Sequence, residues 1–210
     1  MLTDKQVEDL AHRMNVPLEG VYFKDKIPAD IKTNKTYIIN LQDSETDEGE
    51  QNSGTHWVMF QVNETPKGTI KPFYFDSYGA PPPENVKKVI RKKFKKYLPY
   101  NNIDIQSLMN DACGYYCLAI AHYINAYKGR TGDIYSDAST FIDLFDDLNT
   151  SIDWKKNEYV LKLFFQSSDK NKRKPVDVLS QTHDDYERII NKGGGRKDIM
   201  KIPVETNIMN

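Results

Sequence analysis

Residues 106–124, Gln-Ser-Leu-Met-Asn-Asp-Ala-Cys-Gly-Tyr-Tyr-Cys-Leu-Ala-Ile-Ala-His-Tyr-Ile, run from a polar loop straight into an apolar helix, with Cys113 at the junction. A thiol in the first turn of a helix feels the unsatisfied backbone N–H groups and the positive end of the helix dipole, and both favour the thiolate. Cys113 is therefore a candidate nucleophile. The competing reading is a small core hydrophobe, the ordinary fate of an intracellular cysteine. Partners elsewhere in the chain must decide between the two. Cys117, one turn further into the apolar helix, reads as core packing.

At 210 residues, 39% hydrophobic and 28% charged, the chain suits one globular domain with a sizeable core and an appendage. We read residues 1–150 as the main domain and 151–210 as a C-terminal extension, packed on it in part and mobile at its far end. No stretch approaches the run of about 18 apolar residues that spans a bilayer, and the first 15 residues carry no signal-peptide core, so an intracellular protein without membrane contact is expected. Cys113 and Cys117 are the two cysteines, spaced four apart on one expected helix with poor geometry for a mutual disulfide. They have no second ligand pair at zinc-finger spacing, and no metal site is expected.

Residues 3–14 read as a helix, with Thr3 and Gln6 forming a capping box before Val7, Leu10, Ala11 and Met14. Pro17, Gly20 and Pro28 punctuate what reads as a loop carrying Val21, Tyr22 and Phe23. Residues 37–41 form a first expected strand, suited to burial on both faces. Asp43, Glu45, Asp47, Glu48 and Glu50 make the next segment a solvated acidic loop. Two further strands, about 55–62 and 70–75, are joined by a turn at Pro66-Lys67-Gly68 and read as a hairpin. Pro81, Pro82 and Pro83 forbid continuation of the second. Antiparallel neighbours joined at one end set the start of the first beside the end of the second, so His56 and Asp76 are expected to be neighbours.

A helix over about 84–98 carries Val86, Val89, Ile90, Phe94 and Tyr97 on one side, together with seven basic residues: Lys87, Lys88, Arg91, Lys92, Lys93, Lys95 and Lys96. It reads either as a solvated amphipathic face or as a phosphate-tracking patch. Residues 103–105 read as extended, the cysteine helix ends near residue 127, and another amphipathic helix is expected over about 138–148. Trp154 and the run 159–165 are the last strongly apolar features. Beyond residue 166 the chain turns polar and basic, with a short helix expected near 184–190 ahead of Gly193, Gly194 and Gly195.

His56, Asp76, Gln106 and Cys113 each have a job in thiol-mediated acyl transfer. His56 takes the thiol proton and later returns it to the leaving amine. Asp76 accepts the other imidazole N–H and fixes its orientation. The Gln106 amide and the Cys113 backbone N–H are the expected oxyanion donors. Gly114 and Trp57 are expected to line the substrate cleft, the glycine by letting substrate backbone approach closely. Each signal is weak alone. The joint arrangement of strand ends and helix start is what gives them weight.

Three blocks, Gly54-Thr55-His56-Trp57-Val58, Phe75-Asp76-Ser77-Tyr78-Gly79 with prolines after it, and Gln106 followed by Cys113-Gly114-Tyr115-Tyr116-Cys117, resemble in order the signature of the adenovirus maturation protease (adenain) family. The versions encoded by virophages and Maverick/Polinton elements are the most similar in character. The resemblance spans about residues 3–128, including Gly20-Val21-Tyr22-Phe23 and the Asp25 to Pro28 segment. It implies an α+β, papain-like fold shared with the SUMO-specific proteases, with a central mixed or antiparallel sheet flanked by helices and the catalytic cysteine at a helix N-terminus. It further implies a cysteine endopeptidase with His56, Asp76 and Cys113 as triad and Gln106 in the oxyanion hole. Its expected substrates are viral capsid or core precursor proteins, cleaved during particle maturation, often after small residues such as glycine. A monomer in a host-cell viral factory or nucleus, packaged in the virion, is the matching expectation, with no required cofactor and with double-stranded DNA as an activator held by the basic helix.

The acid is Asp, as in the SUMO-protease branch, where adenovirus enzymes use Glu. No cysteine outside the helix pair exists to tether an activating peptide, and part of residues 150–210 is expected to take that role by packing on the domain. Self-processing near Gly193 to Gly195 is a further expectation, set against a plain linker. Three alternatives stay open: a protease that deconjugates ubiquitin-like proteins, an acyltransferase on the same triad, and a non-catalytic DNA-binding capsid protein.

Overall fold

The computed structural model describes residues 1–108, 110–126, 133–149 and 154–169. Thr3 opens the first helix, α1 (Asp4–Arg13), through the expected capping box: its hydroxyl accepts from the Gln6 N–H while the Gln6 side chain accepts from the Thr3 N–H. Val7 and Ala11 make its buried stripe. Four strands follow, β1 (Leu18–Phe23), β2 (Lys35–Asn40), β3 (Trp57–Glu64) and β4 (Ile70–Phe75), hydrogen-bonded in the order β1-β2-β3-β4. The β1–β2 pair is parallel and the other two pairs are antiparallel, so the sheet is mixed and the chain is α+β.

The strand β1 corrects the expectation of a loop at Val21, Tyr22 and Phe23. All six of its residues are half-buried, and a register shift between Leu18 and Gly20 interrupts its ladder. An edge strand broken by a glycine lacks the clean alternation by which strands are read.

The two faces of the sheet carry two cores. Along β3, Val58, Phe60 and Val62 pack with Tyr37, Ile39 and Tyr74 under α2 (Glu84–Phe94), which contributes Val86 and Ile90. Trp57 and Met59 point the other way, with Ile38, Phe73 and Phe75, into the larger core. At its centre lies α3 (Cys113–Ala126), buried at eleven positions including the unbroken run from Tyr116 to Ile124. A helix apolar on every side needs cover on every side, and α1, α4 (Ile134–Ile142) and α5 (Trp154–Asp169) surround it. Each large side chain buried there stabilises the fold by about 1.5–3 kcal/mol.

Several boundaries differ from expectation: β2 and β3 are displaced by one or two residues from the expected 37–41 and 55–62, and the helices differ more. The helix α2 stops at Phe94 because Lys95 turns into the left-handed region at φ 56°, so Lys95 and Lys96 lie beyond it. The helix α4 starts four residues early, where the Asp133 side chain caps the Tyr135 N–H, and it ends before Leu148. The apolar run after Trp154 falls within α5, whose Val160 and Leu161 join the larger core while Tyr159 is exposed. The expected helix near 184–190 and Gly193 to Gly195 lie outside the described residues.

Candidate active site

His56 sits immediately before β3 and Asp76 immediately after β4. Met59 pairs with Phe75, which sets Asp76 opposite Val58 and diagonal to His56 on the same face. The two side chains meet: His56 Nε2–H donates to Asp76 Oδ1 at 2.8 Å. Asp76 is 1% exposed, and the same oxygen accepts the Tyr78 N–H at 2.9 Å. The third member arrives from the other side of the sheet, as Cys113 is the first residue of α3. An Asx turn, with Asn110 Oδ1 accepting the Ala112 N–H at 3.1 Å, leads the chain into that helix. The Trp57 backbone N–H donates to Cys113 Sγ at 3.4 Å, which pins the sulfur beside the residue that follows His56.

Burial pulls the His56 pKa down, but hydrogen bonds to Asp76 and Cys113, with the charges of both, outweigh it and raise the value from 6.5 to about 9. With Nε2 committed to Asp76, Nδ1 is the ring nitrogen left for the thiol. Cys117 is fully buried, its Sγ–H donates to the Trp57 carbonyl at 3.3 Å, and burial pushes its pKa well up. It packs the core, as expected.

Gln106 joins the constellation through the turn after β4. The Ser77 carbonyl accepts the Ile105 and Gln106 N–H groups at 2.9 and 3.1 Å, and Ser77 Oγ donates to Gln106 Oε1 at 2.6 Å. This orients the amide with Nε2 toward Tyr78 Oη, at 3.2 Å, and the Asn110 carbonyl, at 3.0 Å. The turn closes at Gly79 with φ 68°, where a Cβ would come within 2.8–2.9 Å of backbone atoms of Asn102 and Ile103. Only glycine meets both demands.

Trp57 and Gly114 lie at the site, though under cover rather than along an open cleft wall. Trp57 is 2% exposed and its Nε1–H donates to the Leu2 carbonyl at 2.9 Å. The Leu2 side chain fills the space above Gly114. The seven basic residues stay apart from this constellation, on and just beyond α2, which covers the opposite face of the sheet from α3. Lys88, Arg91, Lys92, Lys95 and Lys96 are exposed, as is Lys93, which pairs with Asp30; Lys87 is half-buried. Arg91 lies 3.9 Å from Glu84.

Sequence reasoning missed three residues that build the site. Ser77 and Tyr78 were visible as neighbours of Asp76, and the turn chemistry of Asp-Ser-Tyr-Gly was the available signal. Asn101, 2% exposed, brackets the Asp76 backbone from a segment with no periodicity to mark it. Among the described residues no group of acidic, histidine and cysteine side chains is arranged to hold a metal ion, and no helix is long and apolar enough to cross a membrane. A nucleophile at a helix start, a base oriented by a buried carboxylate and an anchored amide together are suited to nucleophilic acyl transfer. No protein-family model matches the chain, and no curated protein matches it.

Proposed function

We propose that this chain is a cysteine endopeptidase of the adenain-like type, on the papain-like fold of the SUMO-specific proteases, and that it cleaves viral capsid or core precursors as particles mature. The observation that carries the proposal is the 2.8 Å bond from His56 to buried Asp76, with Cys113 beside the same ring at the start of α3. A histidine that keeps its proton into the alkaline range supplies the counter-ion for a thiolate nucleophile.

In the proposed reaction the Cys113 sulfur attacks the scissile carbonyl carbon, and the C=O electron pair moves onto oxygen. The Cys113 N–H, free of an intrahelical partner in the first turn, and the Gln106 corner face that oxygen. The tetrahedral intermediate collapses as His56 gives its proton to the leaving amine. Water, deprotonated by His56, then attacks the thioester, and the carboxylic acid product leaves as the thiol is restored. Asp76 holds the ring in position throughout. The exposed cations on and beyond α2 support duplex DNA as an activator, with an affinity that falls steeply as salt rises.

The test is a proteome-derived peptide library digested by wild type, Cys113→Ala and His56→Ala, with new termini read by mass spectrometry. Wild type is expected to generate a shared cleavage motif that both variants lose. Equal cleavage by Cys113→Ala, or none by wild type with and without DNA, overturns the proposal.

A further inference from the structure

The oxyanion corner holds a donor other than the one its sequence position suggests. Both donor protons of the Gln106 amide are already used. Its Oε1 accepts from Ser77 at 2.6 Å, and its two Nε2 protons serve the Asn110 carbonyl at 3.0 Å and Tyr78 Oη at 3.2 Å. The side chain is 0% exposed. Beside the Cys113 N–H, the proton this corner still has to offer an anion is therefore on the tyrosine hydroxyl that Gln106 Nε2 reaches. That hydroxyl accepts from Gln106 and keeps its own proton to give.

The Tyr78 ring is held from two further directions. It stacks on His56 with centroids 4.5 Å apart and planes 22° apart, and its backbone N–H donates to Asp76 Oδ1. One residue thus touches the base, the acid that orients it and the anchored amide. Burial, followed by the charges of Cys113 and Asp76, raises the phenol pKa, so the group stays a neutral donor across the working range.

We infer that Tyr78 is a catalytic residue whose hydroxyl donates to the oxyanion of the acyl-transfer intermediate, with Gln106 acting through it as the positioning residue. The inference rests on the acyl-transfer reading above. A donor that itself accepts from an amide is a stronger donor, since hydrogen bonds in a chain polarise one another. No proton changes owner: the phenol O–H bond stays intact while the negative charge forms on the substrate oxygen and collapses again.

The experiment compares full-length wild type with Tyr78→Phe, which deletes the hydroxyl and keeps the stacked ring. Three quantities are read: kcat and KM on a peptide that wild type cleaves, affinity for a peptide aldehyde, and the rate of Cys113 alkylation by iodoacetamide. The aldehyde adds the thiol and sets a tetrahedral oxygen where the oxyanion forms; alkylation forms no such oxygen. The expected result is a fall in kcat of about 10²-fold with KM little changed, a matching loss of aldehyde affinity and an unchanged alkylation rate. Turnover equal to or above wild type shows that Gln106 serves the oxyanion directly, and overturns the inference. Alkylation that falls in step with turnover also overturns it, because the hydroxyl then acts on the nucleophile or the fold. A wild type that neither cleaves peptide nor captures the aldehyde at Cys113 removes the acyl-transfer reading, and this inference with it.

Discussion

Asn101 holds the backbone of Asp76 from both sides: its Oδ1 accepts the Asp76 N–H at 3.0 Å and its Nδ2 donates to the Asp76 carbonyl at 2.6 Å. Both residues are almost fully buried, so water has no access to replace either bond. The carboxylate that orients His56 is thus held through its main chain as well as its side chain. Asn101→Ala leaves a buried donor and a buried acceptor unpaired, at about 1–3 kcal/mol each. The expected loss of about 2–4 kcal/mol is read from urea unfolding. Loss below about 1 kcal/mol would mean that the turn relaxes to find other partners.

The His56–Asp76 bond predicts a pH dependence of known sign. The folded pKa of about 9 lies above the unfolded value of 6.5, so the stabilisation is complete below about pH 6.5 and disappears as pH rises through 9. A difference of that size corresponds to about 3 kcal/mol. Unfolding free energies of wild type and His56→Gln, measured between pH 6.5 and 9.5, should converge as pH rises. Parallel curves would mean that the imidazole is not held charged by its neighbours. Under the protease reading, kcat/KM should carry an alkaline limb near pH 9.

The C-terminal helix α5 reaches the segment that carries Gln106. Asn157, 1% exposed, donates through Nδ2 to the Ile105 carbonyl at 3.0 Å and to the Asp146 carbonyl at 2.7 Å, while its Oδ1 accepts the Asp146 N–H at 2.8 Å. Next to it Glu158 accepts from Asn110 Nδ2. The loop between Gln106 and Cys113 is therefore tied to α5 just before its start and again at Asn110. Asn157→Ala should destabilise by about 2–4 kcal/mol and, under the protease reading, lower kcat by about 10- to 100-fold as the loop shifts. Lys156→Ala, which breaks only the half-exposed pair with Asp146, is the control and should cost less than about 1 kcal/mol with kcat unchanged.

What the sequence showed of this site came from local rules acting together. A two-strand pattern with a Pro-Lys-Gly turn sets His56 beside Asp76 whatever else the chain does, and an apolar run after a polar loop sets Cys113 at a helix start. The capping box at Thr3 was readable for the same reason, since four residues suffice to specify it. The features that escaped depend on distant partners. Parallel β1 needs β2 across a long connection, and its half-buried residues carry no alternation. Asn101, Asn157 and Tyr78 matter through what lies across the fold, and an asparagine in a loop looks the same whether it grips a buried carbonyl or faces water. The cover over Trp57 was hidden for that reason too, as it is supplied by Leu2 from the far end of the chain.

That cover supplies the last prediction. A Cβ at Gly114 would stand 3.1 Å from Leu2 Cδ1 and 3.2 Å from Trp57 Cδ1, closer than ordinary carbon contacts on both sides. The Leu2 side chain ends in a methyl that a small rotation moves, whereas the indole is fixed by its bond to the Leu2 carbonyl at 2.9 Å. Gly114→Ala is therefore expected to cost about 1–2 kcal/mol. In a Leu2→Ala background one of the two obstacles is gone, and the same substitution should cost about 0.5–1 kcal/mol less. The four chains of this double-mutant cycle, unfolded in urea, give the coupling directly. Strict additivity would show that Trp57 alone sets the limit at Gly114, and that Leu2 covers the site without pressing on it.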